Sequence, residues 1–341
     1  MILLDAVYIN MGGGKVLLDH LMTELENTNE KVFYLLDDRV QNNHIPVKQT
    51  NKVQFIKPGI VQRACFYKNN KNSFSSILCF GNYPPLYKTS AKVFTYFHQS
   101  LFLELPEDLS LKQKLVYGLK ALILKIKIQN TDYWMVQSDK IKNALAKKFK
   151  ISENKILEIP FYPRLPDTKQ VDKIENTYTY IGDAFVSKNH RILIEAFSEF
   201  YQKFNRGHLT LTVSNHEKEI IDLILEKQKK NIPIENIGMV DRTKISEILQ
   251  SSEYVVYPSL AESFGLSIIE AIEKDCKIIG ADLPYMHAAC EPSLLFNPCD
   301  KKSLVDALSL SLQKDIKKST SKIPNKILEI INLLTNHANQ K

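Results

Sequence analysis

The chain has 341 residues, of which 44% are hydrophobic and 24% charged, and its net charge is +7. This length suits two domains, and the composition is that of a globular protein rather than a disordered or membrane-spanning one. The start does not resemble a signal peptide and no apolar run reaches membrane-spanning length, so we expect a cytoplasmic protein. The five cysteines form neither a Cys-x-x-Cys pair nor a zinc-spaced cluster, which favours reduced, structural thiols.

Positive charge is concentrated in the first half of the chain. Residues 1–165 carry 23 Lys and Arg against 14 Asp and Glu, a net of +9, whereas the remainder carries 22 against 24, a net of −2. A basic amino-terminal half indicates an anionic partner on that side. The candidates are an anionic membrane surface, a pyrophosphate-linked acceptor and nucleic acid, and no nucleic-acid-binding motif supports the last of these.

The first half is predicted to alternate strands and helices. It opens with a strand at Ile2–Ile9, a glycine loop at Gly12-Gly13-Gly14 and a helix over Lys15–Glu26, a unit typical of the start of a doubly wound α/β domain. The glycine run fits neither a Walker A loop nor the dinucleotide fingerprint. The elements predicted after it are strands at Val32–Leu36, Ser76–Phe80, Val93–Phe97 and Tyr133–Val136 and a helix at Ile141–Phe149.

A lysine-flanked apolar stripe is predicted on the helix Leu111–Ile128. The stripe consists of Leu111, Leu115, Leu119, Leu122 and Ile126, with Lys112, Lys120 and Lys127 on one side and Lys114 and Lys125 on the other. This pattern suits a helix that lies in a membrane interface, and it equally suits a helix packed on its own domain. We favour packing on the domain, because core helices are the commoner use of such a stripe.

A proline-rich segment at residues 159–166 is the predicted linker, since three prolines in eight residues exclude a helix or a central strand. We therefore predict an amino-terminal domain over 1–163, a carboxy-terminal domain over 164–320, and a final helix and tail over 321–341 that packs back on the first domain. The second domain is again predicted to alternate, with these elements in order: strand Thr177–Ile181, helix His190–Phe204, strand Leu209–Val213, helix Glu217–Lys230, strand Ile237–Val240 and helix Thr243–Gln250.

The most informative stretch follows a predicted strand at Glu253–Pro258. Gly265 lies at the turn into a helix that begins at Leu266, where free N–H groups and the helix dipole form an anion site. Glu262 precedes this turn, and Glu270 lies roughly 7–8 Å along the helix on its polar side. Either carboxylate alone is typical of a solvated helix, but the pair suits a ligand with hydroxyls at both ends of a diphosphate, such as a nucleotide sugar.

Residues Glu262-Ser263-Phe264-Gly265-Leu266 together with Glu270 resemble the Glu-x7-Glu signature of the retaining GT-B glycosyltransferases of group 1, also called family 4. The resemblance implies the GT-B fold, in which two Rossmann-like doubly wound α/β domains face a central cleft. It implies that Glu262 binds the hydroxyls of the donor sugar and Glu270 those of the ribose, with Ser263, Phe264, Gly265 and Leu266 between them.

Four further residues match positions of this family. Lys188 matches the basic residue that contacts the donor diphosphate, although Asp183 stands close to where the family often has an additional Arg. Gly12 and Gly13 match the amino-terminal glycine loop that lies against the donor phosphate or the acceptor; a tight turn without a ligand explains them equally well. His98, after a predicted strand, matches a histidine that faces the donor sugar, so Glu262, His98 and Lys188 are the predicted catalytic residues.

We therefore expect a retaining hexosyltransferase that moves a sugar from a nucleotide-sugar donor to a glycan or lipid-linked glycan, in bacterial surface polysaccharide synthesis. No Asp-x-Asp triplet occurs, so we expect neither a metal nor another cofactor. The protein should be cytoplasmic or lie at the inner face of the cell membrane. Two alternatives stay open: a non-hydrolysing nucleotide-sugar epimerase, and a non-catalytic GT-B subunit that binds nucleotide or glycan.

Overall fold

The computed structural model describes residues 1–99, 102–103, 111–262 and 264–336, and the side chains of residues 111–113 lie outside this description. The chain divides into two compact units. Unit 1 comprises Met1–Pro163 and Pro324–Lys341, and unit 2 comprises Arg164–Ile323. The second unit thus extends three residues beyond the predicted end at residue 320.

Unit 1 contains a seven-stranded parallel sheet of strand order β3-β2-β1-β4-β5-β6-β7. Its strands are β1 Ile2–Ala6, β2 Val32–Asp37, β3 Lys52–Ile56, β4 Ser76–Cys79, β5 Lys92–Phe97, β6 Tyr133–Val136 and β7 Ile156–Glu158. The helices of the contiguous part are α1 Gly12–Glu26, α2 Ile60–Asn70, α3 Leu111–Lys127 and α4 Asp139–Phe149. Because β1 pairs with both β2 and β4, the strand order reverses direction between β1 and β4.

Unit 2 contains a six-stranded parallel sheet of strand order β10-β9-β8-β11-β12-β14 and a short antiparallel pair, β13 with β15. The strands are β8 Ile174–Tyr180, β9 His208–Leu211, β10 Ile234–Asn236, β11 Ser252–Tyr257, β12 Lys277–Ala281, β13 Cys290–Glu291, β14 Leu294–Phe296 and β15 Thr320–Ser321. The helices are α5 His190–Phe204, α6 Lys218–Lys229, α7 Arg242–Ser251, α8 Leu266–Glu273, α9 Pro284–Ala289 and α10 Lys301–Leu310. Here the order reverses between β8 and β11.

The central strands are buried along nearly their whole length, as expected for parallel sheets covered by helices on both faces. All five residues of β1 are buried, and Tyr254, Val255 and Val256 of β11 are at most 1% exposed. Such strands are continuous apolar runs rather than alternating ones, which is why the sequence shows them clearly. Their carboxyl ends form the sheet edges at which the candidate site residues lie.

The last helix, α11 (Ile327–Asn336), packs on unit 1. The Ser76 hydroxyl at the start of β4 donates to the carbonyl of Leu334 at 2.9 Å, and the N–H of Lys326 donates to the carbonyl of Pro160 at 2.8 Å. The sequence predicts a helix over Asn325–Asn336 with Pro324 in its first turn, where a proline needs no N–H partner. In the structure Pro324 precedes the helix, whose first turn begins at Ile327.

Two predictions of local structure are wrong. The strand predicted at Ile237–Val240 is Ile234–Asn236, because the Asn236 side chain accepts from the N–H of Gly238, which has a φ of +71°, and turns the chain away from the sheet. The glycine loop predicted ahead of Lys15 is instead the first turn of α1, which begins at Gly12.

The favoured interpretation of the α3 stripe is also wrong. Leu115, Leu119, Leu122 and Ile126 are 51–75% exposed, whereas Leu124 on the opposite face is fully buried. Tyr117 and Ala121 join Leu124 against the core of unit 1, so α3 packs through a narrower side than the sequence pattern indicates. Within the described part of the chain, no helix is long and apolar enough to cross a membrane.

Candidate functional site

The junction between β11 and α8 has the backbone conformation that the sequence motif requires. Gly265 adopts a φ of +72°, and a Cβ at this position would lie 3.0 Å from the Ile268 side chain. Only glycine fits such a left-handed, crowded position without strain. Within the described residues no side chain caps α8, so the first N–H groups of the helix and the positive end of its dipole suit an anion.

Lys188 and Glu262 form an ion pair next to this helix start. The Nζ–Oε1 distance is 2.5 Å, and the two side chains are 22% and 13% exposed. Lys188 ends a short 3-10 turn after β8, and Glu262 follows β11, the neighbouring strand. The N–H of Leu260 donates to the carbonyl of Ser187 at 2.7 Å, which ties the two loops together. A cation and a carboxylate thus lie together at the point where the strand order of unit 2 reverses, where ligands bind in open α/β sheets.

Glu270 is buried, which corrects its predicted place on a polar helix face. The residue is 4% exposed, and its Oε1 accepts from Arg242 Nη1 at 2.6 Å. Burial raises the pKa of the Glu270 carboxyl, and the guanidinium of Arg242 opposes this shift. Arg242 is the first residue of α7, capped by the Asp241 side chain, and sequence reasoning missed it. No local signal identifies Arg242, because only the fold brings α7 beside α8.

Tyrosine hydroxyls support the loop between β11 and α8. Tyr285 donates to the carbonyl of Ser259 at 2.6 Å, and Tyr180 shares a 2.7 Å hydrogen bond with the hydroxyl of the same serine. Burial raises the pKa of both phenols, so they remain neutral at physiological pH. The two phenol hydroxyls thus fix Ser259 and support this loop.

The other predicted donor-binding residues lie at the same junction. Phe264 and Leu266, the first residue of α8, are partly buried, and Ser263 lies outside the described residues. Asp183 stands where the family often has an arginine. Its carboxylate accepts from the N–H groups of Ala184 and Ser214, and so it braces the loop after β8.

Gly12, Gly13 and His98 belong to unit 1. Gly12 has a φ of +63°, which favours glycine, whereas a Cβ on Gly13 would meet open space. His98 follows β5 and lies in the wall of a cavity of about 300 Å³. Its Nδ1 is buried without a hydrogen-bond partner among the described residues, and burial lowers the pKa of the imidazole to about 4. His98 is therefore neutral at physiological pH.

This cavity lies at the carboxyl ends of β1, β4 and β5, where the strand order of unit 1 reverses. Tyr8 after β1 and Asn82 after β4 both line it, and both have a positive φ, of +91° and +70°. The N–H of His98 donates to the Asn82 side chain at 2.8 Å. Non-glycine residues held in this conformation cluster at ligand sites, so the cavity is a second candidate site.

The described residues contain no cluster of three or more His, Cys, Asp or Glu side chains that could hold a metal ion. The structure therefore brings together Lys188 and Glu262, and separately Glu270 and Arg242, around the start of α8. It places His98, with Tyr8 and Asn82, at the matching edge of the other unit.

Residues 162–326 match the family model described as "Glycosyl transferases group 1". Over 193 residues the chain is 25% identical to the O-antigen chain mannosyltransferase RfbU of Salmonella typhimurium, an alignment covering 54% of this chain and 52% of that protein. The chain spans about half the length of this curated relative, and about a third of two others. These matches support the group 1 glycosyltransferase family for the carboxy-terminal part of the chain.

Solved structures resemble the whole chain. Sucrose-phosphate synthase from Thermosynechococcus elongatus aligns with a TM-score of 0.70 and 16% identity, covering 91% of this chain and 89% of that one. Anabaena HepE in complex with UDP and glucose aligns with a TM-score of 0.65 and 14% identity, covering 99% and 97%. At these identities the likeness shows the fold alone, which is the GT-B fold of two Rossmann-like α/β domains.

Disruption of the Arg242–Glu270 ion pair should measurably lower the stability of the protein. In Arg242→Ala we expect the free energy of unfolding to fall by roughly 2 kcal/mol, because the buried Glu270 carboxylate loses its cation, while the partial exposure of Arg242 limits the cost. Urea unfolding at neutral pH measures this. The deficit should shrink at acid pH, where Glu270 carries a proton and needs no cation.

A matched control is Lys244→Ala, which breaks the exposed Lys244–Glu247 pair; Lys244 lies two residues further along the same helix. This variant should stay within about 0.5 kcal/mol of the wild type. Equal stability of Arg242→Ala and Lys244→Ala at neutral pH would contradict the structural importance of the buried pair.

Proposed function

We propose that the chain is a retaining glycosyltransferase that moves a hexosyl group from a nucleotide-sugar donor to a glycan or lipid-linked glycan acceptor. The Lys188–Glu262 ion pair beside the start of α8, which no side chain of the described residues caps, carries this proposal. The group 1 family match and the relative named for O-antigen chain synthesis support a role in bacterial surface polysaccharide synthesis.

The donor diphosphate would bind at the start of α8. As the bond between the sugar and the diphosphate breaks, negative charge grows on the departing phosphate oxygen, and donors fixed in advance stabilise it best. The backbone N–H groups of Gly265 and Leu266 and the helix dipole supply such a site. The Lys188 ammonium has three donors, so it can contact a phosphate oxygen while it keeps one hydrogen bond to Glu262.

The two carboxylates would bind the ends of the donor. Glu262 is partly exposed beside the phosphate site, so its free oxygen can accept from the hydroxyls of the transferred sugar. Glu270 would accept from the ribose hydroxyls, with Arg242 fixing the carboxylate in position. Because Arg242 occupies one oxygen, the ribose would use the remaining lone pairs of the carboxylate.

Retention of configuration would follow a reaction on one face of the sugar. The bond from the anomeric carbon to the diphosphate oxygen breaks, a bond to the acceptor oxygen forms on the same face, and the acceptor proton passes to the departing phosphate oxygen. No protein base is needed in this scheme. Neutral His98 could donate to or accept from a sugar hydroxyl, but it carries no charge that would stabilise the diphosphate.

Removal of Glu262 should abolish transfer. We expect Glu262→Ala to lower kcat/KM for a nucleotide-sugar donor by at least about 100-fold, because the hydrogen bonds of a partly buried, charged acceptor to a reacting sugar are lost. The measurement is sugar transfer with the native fold verified by circular dichroism. Glu199→Ala removes a carboxylate from the exposed Lys301–Glu199 pair and should leave transfer unchanged. Near-normal turnover of Glu262→Ala would refute the assigned role.

Nucleotide binding tests the phosphate site separately from transfer. A panel of UDP, GDP, ADP and CMP should include at least one nucleotide that raises the melting temperature, since a ligand at 100 times its Kd adds about 2.7 kcal/mol to the stability of the folded state. Lys188→Ala should lose most of that shift. Lys229→Ala, on the exposed side of α6, should keep it.

An unchanged shift in Lys188→Ala would place the nucleotide elsewhere. Binding without transfer to any acceptor would favour the non-catalytic alternative, and conversion of the nucleotide sugar without an acceptor would favour the epimerase.

Metal independence is tested with a chelator. Transfer should persist in excess EDTA, because Lys188 and the start of α8 are proposed to neutralise the diphosphate without a divalent ion. A matched reaction with added Mn²⁺ is the control. Loss of activity in EDTA that Mn²⁺ restores would contradict this part of the proposal.

A further inference from the structure

Helix α3 exposes a row of large apolar side chains, here called the outer face of α3: Leu115, Leu119, Leu122 and Ile126. Their exposed fractions are 75%, 61%, 51% and 64%. At 100° per residue the four lie within about 60° of one another, so they form one continuous strip three turns long. Single exposed apolar residues are ordinary, but a continuous strip of this kind marks a surface that contacts something apolar.

The charges around this strip identify the class of partner. Lys114 and Lys125 lie on one side of the strip and Lys120 and Lys127 on the other, each roughly 90–130° from its centre. The sequence Leu111–Lys127 contains five lysines and no acidic residue. An apolar strip with lysines on both sides matches an anionic bilayer, in which the apolar side chains enter the interface and the lysines reach the headgroups.

A protein partner would be less well matched. The surface of such a partner would have to be apolar at its centre and acidic along both edges. An anionic bilayer offers an apolar interior and anionic headgroups whichever way the helix axis points in the membrane plane. The charge excess of the first half of the chain, +9 over residues 1–165, points in the same direction.

The cavity of unit 1 lies directly beside one edge of the outer face. Lys120, Ile123 and Lys127 of α3 line one of its sides, and Ile60 at the start of α2 lines another. Lys120 and Ile60 are exposed, so the cavity reaches the surface between α2 and α3. Its deeper wall holds His98, whose Nδ1 is buried without a hydrogen-bond partner among the described residues. A molecule anchored beside α3 would thus meet an apolar mouth, two cations and an unused polar atom.

We propose that the outer face of α3 docks on an anionic lipid bilayer, and that the cavity admits the phosphate-bearing head of an acceptor lipid held in that bilayer. Lys114 and Lys125 contact the bilayer alone, whereas Lys120 and Lys127 also contact the phosphate of the acceptor lipid. The docking part is independent of the proposed function. The assignment of the cavity rests on the proposed function and names the class of acceptor.

Docking is tested by flotation of the purified full chain with vesicles. Wild type should bind phosphatidylglycerol vesicles, should not bind pure phosphatidylcholine vesicles, and should be released by high salt. Lys114→Gln with Lys125→Gln, and Lys120→Gln with Lys127→Gln, should each weaken binding roughly 30-fold, since each lysine near an anionic surface is worth about fivefold. Leu119→Ser with Leu122→Ser should weaken it at least about tenfold.

Two control variants match these changes outside the outer face. Lys140→Gln with Lys147→Gln removes the same charge from the exposed side of α4, and Leu328→Ser removes an exposed leucine, 66% accessible, from α11. Both should bind vesicles within about threefold of the wild type, which allows for a weak general charge effect. Failure of wild type to bind phosphatidylglycerol vesicles, or equal losses in the control and α3 variants, would overturn the docking proposal.

The acceptor part is tested with dihexanoylphosphatidic acid, a lipid phosphate used below its micelle concentration, by its effect on the melting temperature. It should stabilise the wild type and the Lys114/Lys125 double variant equally, and the Lys120/Lys127 double variant much less. Inorganic phosphate at the same concentration should stabilise none of them to the same extent. An equal shift in both double variants would overturn the cavity assignment while leaving docking intact. Because neither experiment measures sugar transfer, a failure of the proposed function is distinguishable from a failure here.

Discussion

The contact between Lys188 and Glu262 joins the two loops on which the candidate site of unit 2 depends. These loops leave β8 and β11, which are neighbours in the sheet, at the place where the strand order reverses. Helices after such strands pass to opposite faces and leave a crevice above the carboxyl ends. The ion pair and the Leu260–Ser187 hydrogen bond hold that crevice in one geometry before any ligand arrives. Preorganisation of this kind is what a site for a charged transition state requires.

Charge in this site is balanced by pairs. Lys188 is paired with Glu262 and Arg242 with Glu270, so the four side chains carry no net charge together. A diphosphate that entered such a site would depend on the start of α8 for much of its neutralisation. That dependence explains why the conformation of Gly265 matters: any other residue would disturb the turn that aims the first N–H groups of α8. Buried Tyr180 and partly buried Tyr285 hold Ser259, in the loop before this turn, through neutral hydroxyls.

The two sheets reverse their strand order in the same way, but different residues surround the two points of reversal. In unit 1 the corresponding edge holds a cavity with a neutral histidine and two residues in left-handed backbone conformation, beside a basic helix with an apolar outer face. In unit 2 it holds paired charges at a helix start. These two sheet edges are consistent with a soluble anionic donor bound by unit 2 and a membrane-held acceptor bound by unit 1. Such a division would account for the uneven distribution of charge along the chain.

Much of the fold, and the position of the candidate site in unit 2, could be predicted from the sequence. Continuous apolar runs such as β11 and β6 mark buried parallel strands whatever packs on them, and the alternation of strands and helices limits the fold to two α/β domains. The Glu262–Gly265–Glu270 spacing located the candidate site, because a strand-to-helix turn is local and needs a glycine. The bounds of α5 and β6 agree with their predictions, whereas the strand at Ile234–Asn236 was misplaced because an asparagine side chain ends it.

Other features required tertiary contacts. The partner of Glu270 could not be found from sequence, since Arg242 lies 28 residues away on another helix and neither residue has a local signal for the other. The side of α3 that faces the core was predicted wrongly. An apolar stripe indicates that one helix face contacts other apolar groups, but it does not identify the molecule or element that provides them. The sequence by itself thus determined the strands, the helices and the turn at Gly265, all of which depend on neighbours within a few residues. Only tertiary structure decided three other features, because they depend on which distant elements pack together. These are the pairing of the charges, the burial of Glu270 and the exposure of Leu115, Leu119, Leu122 and Ile126.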